Sequence, residues 1–491
     1  MRMRWKMMAM ASAAALAAAT PIAAEAPQAQ RVQAITAQER AQGQQANAEI
    51  VREYGGVYDG PQVAYVKRVG QRVATQSGLA TTPGAFTITV LDSPVDNAFA
   101  TPGGYVYVTR GLLALMNDEA ELAAVLGHEV AHVAARHSRS RQNTATRNTL
   151  LGALGQAIVG AVAGNSGFGS LLSRGIGAGA QLATLGYSRG QETEADTLGV
   201  GYLARTGYDP VALSTMLESL AAQNQLSQAI AGQTRALPAW ASTHPEPGAR
   251  VARARSEATR IRATGTARGR DAHLAAVDGL LYGDDPAQGA ILGQRFVHPA
   301  LRIGFTVPQG YTMANSPQAV TIVGGGGQAQ FATLPYSGNR ETYVRGVLQS
   351  VAGANARLPA YQLQSTTVNG IPAAQATIRA ASGNTPVDVT VVALTPSATR
   401  AYHFVTVTPA GRGVAPFAST IQSFRTITAA EAGEVRARYV RVVPVGARDT
   451  VQTLAARMAF PDRQLERFLT LNGLSANERL TPGTRVKIVT H

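Results

Sequence analysis

His128-Glu129-Val130-Ala131-His132 spell H-E-x-x-H, the spacing by which one helix can offer two imidazoles to a single divalent cation. Residues i and i+4 lie about 40° apart around an α-helix, so both rings reach the same point beside its axis. Glu129 follows on that turn, where its carboxylate can act as general base toward metal-activated water. A catalytic zinc site asks for a third protein ligand and keeps one position open. About sixty residues on, Glu192 and Asp196 are again i and i+4 and share a helix face, whereas Glu194 points about 200° away from Glu192. Glu192 is read as the third ligand, with Asp196 orienting a ligand histidine from behind. The implied cofactor is one Zn2+ per chain.

The elements that must carry these groups are legible around them. Asn117, Asp118, Glu119 and Glu121 crowd a helix start, and Asp118-x-x-Glu121 has the pattern of a capping box. Strong helix formers run from Leu122 to His137. Gly127, beside His128, suits a close approach by a metal or a neighbouring backbone. His137 falls about 180° from His128 on a continuous helix, so it is read as a C-terminal residue meeting orphan carbonyls and not as a ligand. Val95–Ala100 and Tyr105–Thr109 read as two strands around Thr101-Pro102-Gly103-Gly104, and an edge strand there could bind an extended substrate through its main chain.

Together these residues resemble the periplasmic BepA-type metalloproteases, of the superfamily that includes the HtpX membrane proteases and the CAAX prenyl proteases. The matching pieces are His128–His132 with His137, the Glu192-x-x-x-Asp196 helix, the stretch Asp96–Leu113, and Ser242–Arg250. The resemblance covers roughly residues 35–260. It implies a gluzincin fold, zinc held by His128, His132 and Glu192, and Glu129 as general base. It also brings His244 near the metal, either as a reversible fourth ligand that blocks water or as a donor to the transition state. Arg250 is implied as an active-site or ion-pair residue. BepA itself carries helical repeats after its peptidase, and no 34-residue helical repeat is visible in this chain.

Residues 1–24 have a basic start, a short apolar stretch and small residues before Ala24, the pattern of a secretory signal. The chain has no cysteine, which excludes disulfides and a lipid-modified cysteine anchor. A periplasmic protein of a Gram-negative-type cell is expected, with cell-wall or outer-membrane association open. The net charge is +14, yet only Lys6, Lys67 and Lys487 are lysine. This arginine bias is diffuse, and no nucleic-acid partner is inferred from it. Leu150–Gly164 is too short for a span that needs about twenty residues, so no transmembrane segment is expected in the mature protein. The Gly/Ala-rich segment Thr149–Thr184 reads instead as two helices forming a lid over the cleft, or as a buried helical pair without a gating role.

The expected fold is multidomain: a mainly α-helical α+β gluzincin domain with a small sheet, an antiparallel α+β domain, and a small βααβ domain. The peptidase with its N-terminal helix is placed at residues 25–265 and a connector at 266–294. Residues 295–428 hold β-branched runs with a helix near Arg340–Ala352, and Phe296–Tyr311 resembles the opening of PsbP-like domains. His298 and His403 have no spaced partner and are read as ordinary fold residues. Residues 439–489 resemble a LysM module, which implies binding to peptidoglycan-type glycans, although Val451 and Val443-Pro444-Val445 depart from its usual approach to the Gly-Asp-Thr turn. A purely architectural role for that module stays open.

These readings converge on a zinc endopeptidase of the envelope acting on misfolded or misassembled exported proteins. The alternative is a peptidoglycan-associated binding or chaperone-like factor with latent proteolysis.

Overall fold

The helix bearing His128 and His132 (α4, Glu119–Ala134) is buried from Glu119 through His132, so neighbours must enclose it on all sides. The structure is a computed structural model describing residues 34–79, 85–138, 186–231, 244, 247–353, 356–382 and 385–491. Within it, Ala34–His491 forms one packed unit. α4 is surrounded by α2 (Gln62–Ala74), α5 (Arg189–Thr206), α6 (Ala212–Ala231) and a three-stranded sheet. That sheet has the order β1 (Thr87–Leu91), β3 (Tyr105–Thr109), β2 (Ala98–Thr101), with β1 and β3 parallel and β2 antiparallel at one edge. α1 (Ala37–Glu53) lies against β2 and β3 through Ile50, Phe99 and Tyr107. α3 (Arg110–Leu115) leads from β3 to α4, and α7 (Pro247–Arg260) packs on α5 and α6.

Local chemistry sets where α4 begins. Asp118 is its N-cap and accepts the Glu121 amide at 2.8 Å. The reciprocal bond differs from a simple capping box, because Glu121 Oε2 accepts the Asn117 amide at 2.8 Å instead of that of Asp118. Asp118 is nearly fully extended (φ −158°, ψ 170°), which presents the preceding amide to the carboxylate. Midway along, two glycines let α4 and α5 touch. A Cβ on Gly199 would come within 3.3 Å of the His128 amide nitrogen, and one on Gly127 within 3.1 Å of Val73 Cγ1. The close approach expected at Gly127 is therefore to α2, while Gly199 brings the acidic face of α5 to the histidines.

A second region is a seven-stranded antiparallel sheet of order β11-β12-β13-β14-β10-β9-β8. Its strands are β8 (Thr312–Asn315), β9 (Val320–Gly324), β10 (Gly327–Thr333), β11 (Gln364–Val368), β12 (Ile371–Ser382), β13 (Thr385–Ser397) and β14 (Arg400–Pro409). Alternation along β13 turns Val387, Val389 and Val391 toward α9 (Arg340–Ala352), while Val392 and Leu394 face an aromatic core of Phe305, Phe331, Phe404 and Phe424. A small sheet of β5 (Ala290–Leu292), β6 (Arg295–His298), β7 (Ile303–Thr306) and β15 (Arg425–Thr426) contributes to that second core. His298 and His403 belong to this region.

The C-terminal module runs β16 (Arg438–Pro444), α12 (Val451–Ala455), α13 (Gln464–Asn472) and β17 (Arg485–Thr490), after two short helices, α10 (Ala418–Gln422) and α11 (Ala429–Gly433). β16 pairs antiparallel with β17 and, on its other side, with β4 (Leu281–Tyr282), just after α8 (Arg270–Val277). The module is tied to the region around α4 by Lys487, whose buried Nζ donates to the carbonyls of Ala114 (2.7 Å), Leu115 (3.3 Å) and Met116 (2.5 Å). These are the carbonyls that the end of α3 leaves open, just before the cap of α4. His273 of α8 reaches the same place, 3.0 Å from Met116 O and 3.0 Å from Tyr65 Oη.

The signal at 1–24 and the lid over Thr149–Thr184 lie outside the described residues. Among the described residues no helix is long and apolar enough to cross a membrane.

Candidate metal centre

α4 and α5 bring His128, His132 and Glu192 together. The two Nε2 atoms are 3.0 Å apart. Glu192 Oε2 lies 3.6 Å from His128 Nε2, and its Oε1 lies 3.4 Å from His132 Nε2. Metal–ligand bonds of about 2.05 Å in tetrahedral geometry separate donor atoms by about 3.3 Å, so these three spacings bracket what one zinc ion requires. His244 joins the group, and one donor atom from each of His128, His132, Glu192 and His244 can be chosen within 4.8 Å of all the others. All four residues are buried. Two imidazoles and a carboxylate, with a third imidazole beside them, form a donor set that suits zinc.

The residues behind the donors hold them in place. Asp196 Oδ1 is 3.1 Å from His128 Nδ1, which leaves Nε2 to face the shared point. Arg250 bridges the two carboxylates of α5: Nη1 lies 2.6 Å from Glu192 Oε2, while Nε and Nη2 donate to Asp196 at 2.9 and 2.5 Å. This fork fixes Asp196 from two directions. Arg250 therefore holds both Glu192 and the carboxylate that meets His128. Glu129 is fully buried, with Oε1 3.4 Å from His244 Nε2.

Electrostatics follow from this packing. Burial would push the Asp196 carboxyl up, but Arg250 and His128 outweigh it and hold it well below the usual carboxylate range. Burial pulls His128 down, yet its hydrogen bond to Asp196 and the charge of Glu192 win and raise it. His244, although the charge of Glu192 opposes it, is lowered to about 3 by burial. It is a neutral imidazole with a lone pair, as a ligand must be.

Two neighbours were not found by sequence reasoning. The Tyr187 ring stacks on His132, with centroids 3.6 Å apart and planes 13° from parallel. His137 does not simply end the helix, because its Nδ1 lies 2.8 Å from His132 Nδ1 and its Nε2 lies 3.3 Å from Glu194 Oε2. The available signal was the His-x4-His spacing to His132 combined with a helix break, which periodicity cannot supply.

A buried two-helix site, with H-E-x-x-H on one helix and a glutamate on the next, gathers donors that could hold one metal ion. Residues 61–258 match the profile of peptidase family M48. The chain is 31% identical over 233 residues to the beta-barrel assembly-enhancing protease of Yersinia pestis, covering 47% of this chain and 46% of that protein. The Escherichia coli (strain K12) protein of the same name is 31% identical over 201 residues, covering 40% and 39%. The mitochondrial metalloendopeptidase OMA1 of Schizosaccharomyces pombe is 34% identical over 218 residues, covering 43% and 59%. The match thus spans about half the length of these relatives. The solution structure of cyanobacterial PsbP from Synechocystis aligns with 27% of this chain and 91% of its own, at 13% identity and a TM-score of 0.22, which is too slight a likeness to assign a fold family.

Proposed function

We propose that this chain is a zinc-dependent endopeptidase of the cell envelope that hydrolyses peptide bonds in misfolded or misassembled exported proteins. The observation that carries this reading is the convergence of His128, His132 and Glu192 on one point, with the buried carboxylate of Glu129 beside it. Those three residues would hold zinc, which when bound supplies Lewis acidity to the scissile carbonyl. Glu129 takes a proton from the attacking water as its oxygen bonds to the carbonyl carbon. It then delivers that proton to the departing amine nitrogen as the C–N bond breaks. β2 is the edge strand packed against α4, with all four of its residues buried, and main-chain pairing of an extended substrate there would first have to uncover that edge. Relatives carry names that refer to β-barrel assembly, and we read β-barrel proteins of the envelope as the substrate class and the periplasm as the location.

His244 supplies the fourth donor, and we read it as a reversible stopper that keeps the resting enzyme latent. His244→Ala should then speed casein cleavage severalfold; complete loss would instead make it a catalytic donor. Glu129→Gln should lower cleavage by about 10²–10⁴-fold while the purified protein keeps its zinc. Retained proteolysis in that variant would refute the assignment of the base.

The strand–helix–helix–strand order of residues 438–490 favours a second property, binding of cell-wall glycan. Retention of the full chain on purified sacculi, lost on substitution within the Gly446–Thr450 turn, would support it; no retention would remove it.

A further inference from the structure

We propose that His137 and Glu194 form a relay that fixes the tautomer and direction of His132, so that His137 is a positioning residue of the metal centre. The proposal rests on the zinc reading above and deepens it. On a continuous helix, residues five apart lie about 140° from each other, and His137 could not meet His132. The chain breaks this geometry. α4 ends at Ala134, and Arg136 takes a left-handed backbone conformation (φ 54°) that folds His137 back onto the preceding turn. Arg136 is not a glycine, and its conformation is secured from outside the helix. Its Nε donates to Glu39 Oε1 at 2.9 Å and its Nη2 to Ala34 O at 3.0 Å, both at the start of α1.

The proton count then follows. His132 presents Nε2 to the shared donor point, 3.0 Å from His128 Nε2 and 3.4 Å from Glu192 Oε1. A ligand nitrogen must be bare, so the proton of neutral His132 sits on Nδ1 and is donated to His137 Nδ1 at 2.8 Å. His137 in turn carries its proton on Nε2 and donates it to Glu194 Oε2 at 3.3 Å. Each ligand histidine is thus oriented by a carboxylate of α5. His128 meets Asp196 directly, and His132 meets Glu194 through one intervening imidazole. The acidic residue that points away from the metal on α5 gains a role by this route.

The test uses the full chain in His137→Leu, His137→Asn, His137→Gln and Glu194→Gln forms. Zinc affinity is read by chelator competition, the ligand field from the visible spectrum of the cobalt-substituted protein, and folding by circular dichroism. His137→Leu removes the acceptor and should weaken zinc binding about 10–100-fold with a shifted cobalt spectrum. His137→Asn places an oxygen near the lost Nδ1 and should recover to within about threefold of the wild type. His137→Gln, whose amide reaches the Nε2 position instead, should not recover, and this Asn/Gln contrast stands even if the leucine variant misfolds. Glu194→Gln should cost no more than about threefold. Wild-type affinity and spectrum in His137→Leu, or equal weakness in the Asn and Gln variants, would overturn the relay alone. A wild-type chain that binds no zinc would overturn the metal reading beneath it.

Discussion

His128 and His403 are equally hidden, at 1% and 4% exposure, but they sit in regions built on opposite plans. In the peptidase region a buried imidazole is one of several ionisable groups drawn from different helices, and its Nδ1 is occupied by a carboxylate. In the sheet region His403 lies on β14, its Nδ1 is 2.9 Å from Tyr343 Oη, and burial pulls it down to about 4. One region gathers buried charge about a point, while the other keeps a neutral ring bonded to Tyr343 on the valine-lined face of its sheet. Burial of a histidine says little about function by itself. The groups held on its two nitrogens decide between a ligand and a packing residue.

The largest expected effect separates the two regions outright. His128→Ala or Glu192→Ala should remove zinc from the purified protein by elemental analysis and abolish casein cleavage. His403→Phe should leave zinc and cleavage intact and lower stability by about 1–3 kcal/mol in urea melts, since Tyr343 loses a partner. Zinc loss from the His403 variant would break the contrast.

Next in size is Arg250→Leu. Two carboxylates would be left buried without their cation, so the melting temperature should fall sharply, corresponding to about 3–5 kcal/mol, and zinc binding should weaken with it. A variant that melts like the wild type would show that Arg250 is dispensable for the centre.

Lys487→Met comes third. It removes the three donors that satisfy the end of α3 and should cost about 2–4 kcal/mol in thermal melts, with the zinc ligands untouched. An unchanged melting temperature would show that the C-terminal module does not brace the peptidase region.

A separate effect is on acid stability. Burial holds His273 at about 3 and His403 at about 4, against 6.5 when unfolded. The unfolded rings gain protons as pH falls below about 6.5 while the folded rings refuse them, so the stability these two contribute is complete above that pH and declines toward pH 3–4. Urea midpoints at pH 7.5 and 4.5 should differ less in His273→Gln than in the wild type. An equal difference would remove His273 from the acid response.

How far the sequence foretold this molecule depends on the range of the interactions. The pairs His128/His132 and Glu192/Asp196 could be read because helical spacing alone puts each pair on one face. His137 escaped because its position depends on a backbone break at Arg136 that is held by Glu39 and Ala34, far away in the chain. The strand at Gly327–Thr333 escaped because Gly, Gln and Ala dilute its alternation, while the longer Val-rich β13 was plain. Lys487 was visible only as one of three lysines. Its role depends on a carbonyl 373 residues earlier, beyond any local pattern.

That separation has a consequence for the order of events in the cell. The open end of α3, next to the cap of α4, finds its cation only after the ribosome has passed residue 487. A nascent chain with its whole peptidase segment already made still lacks this brace.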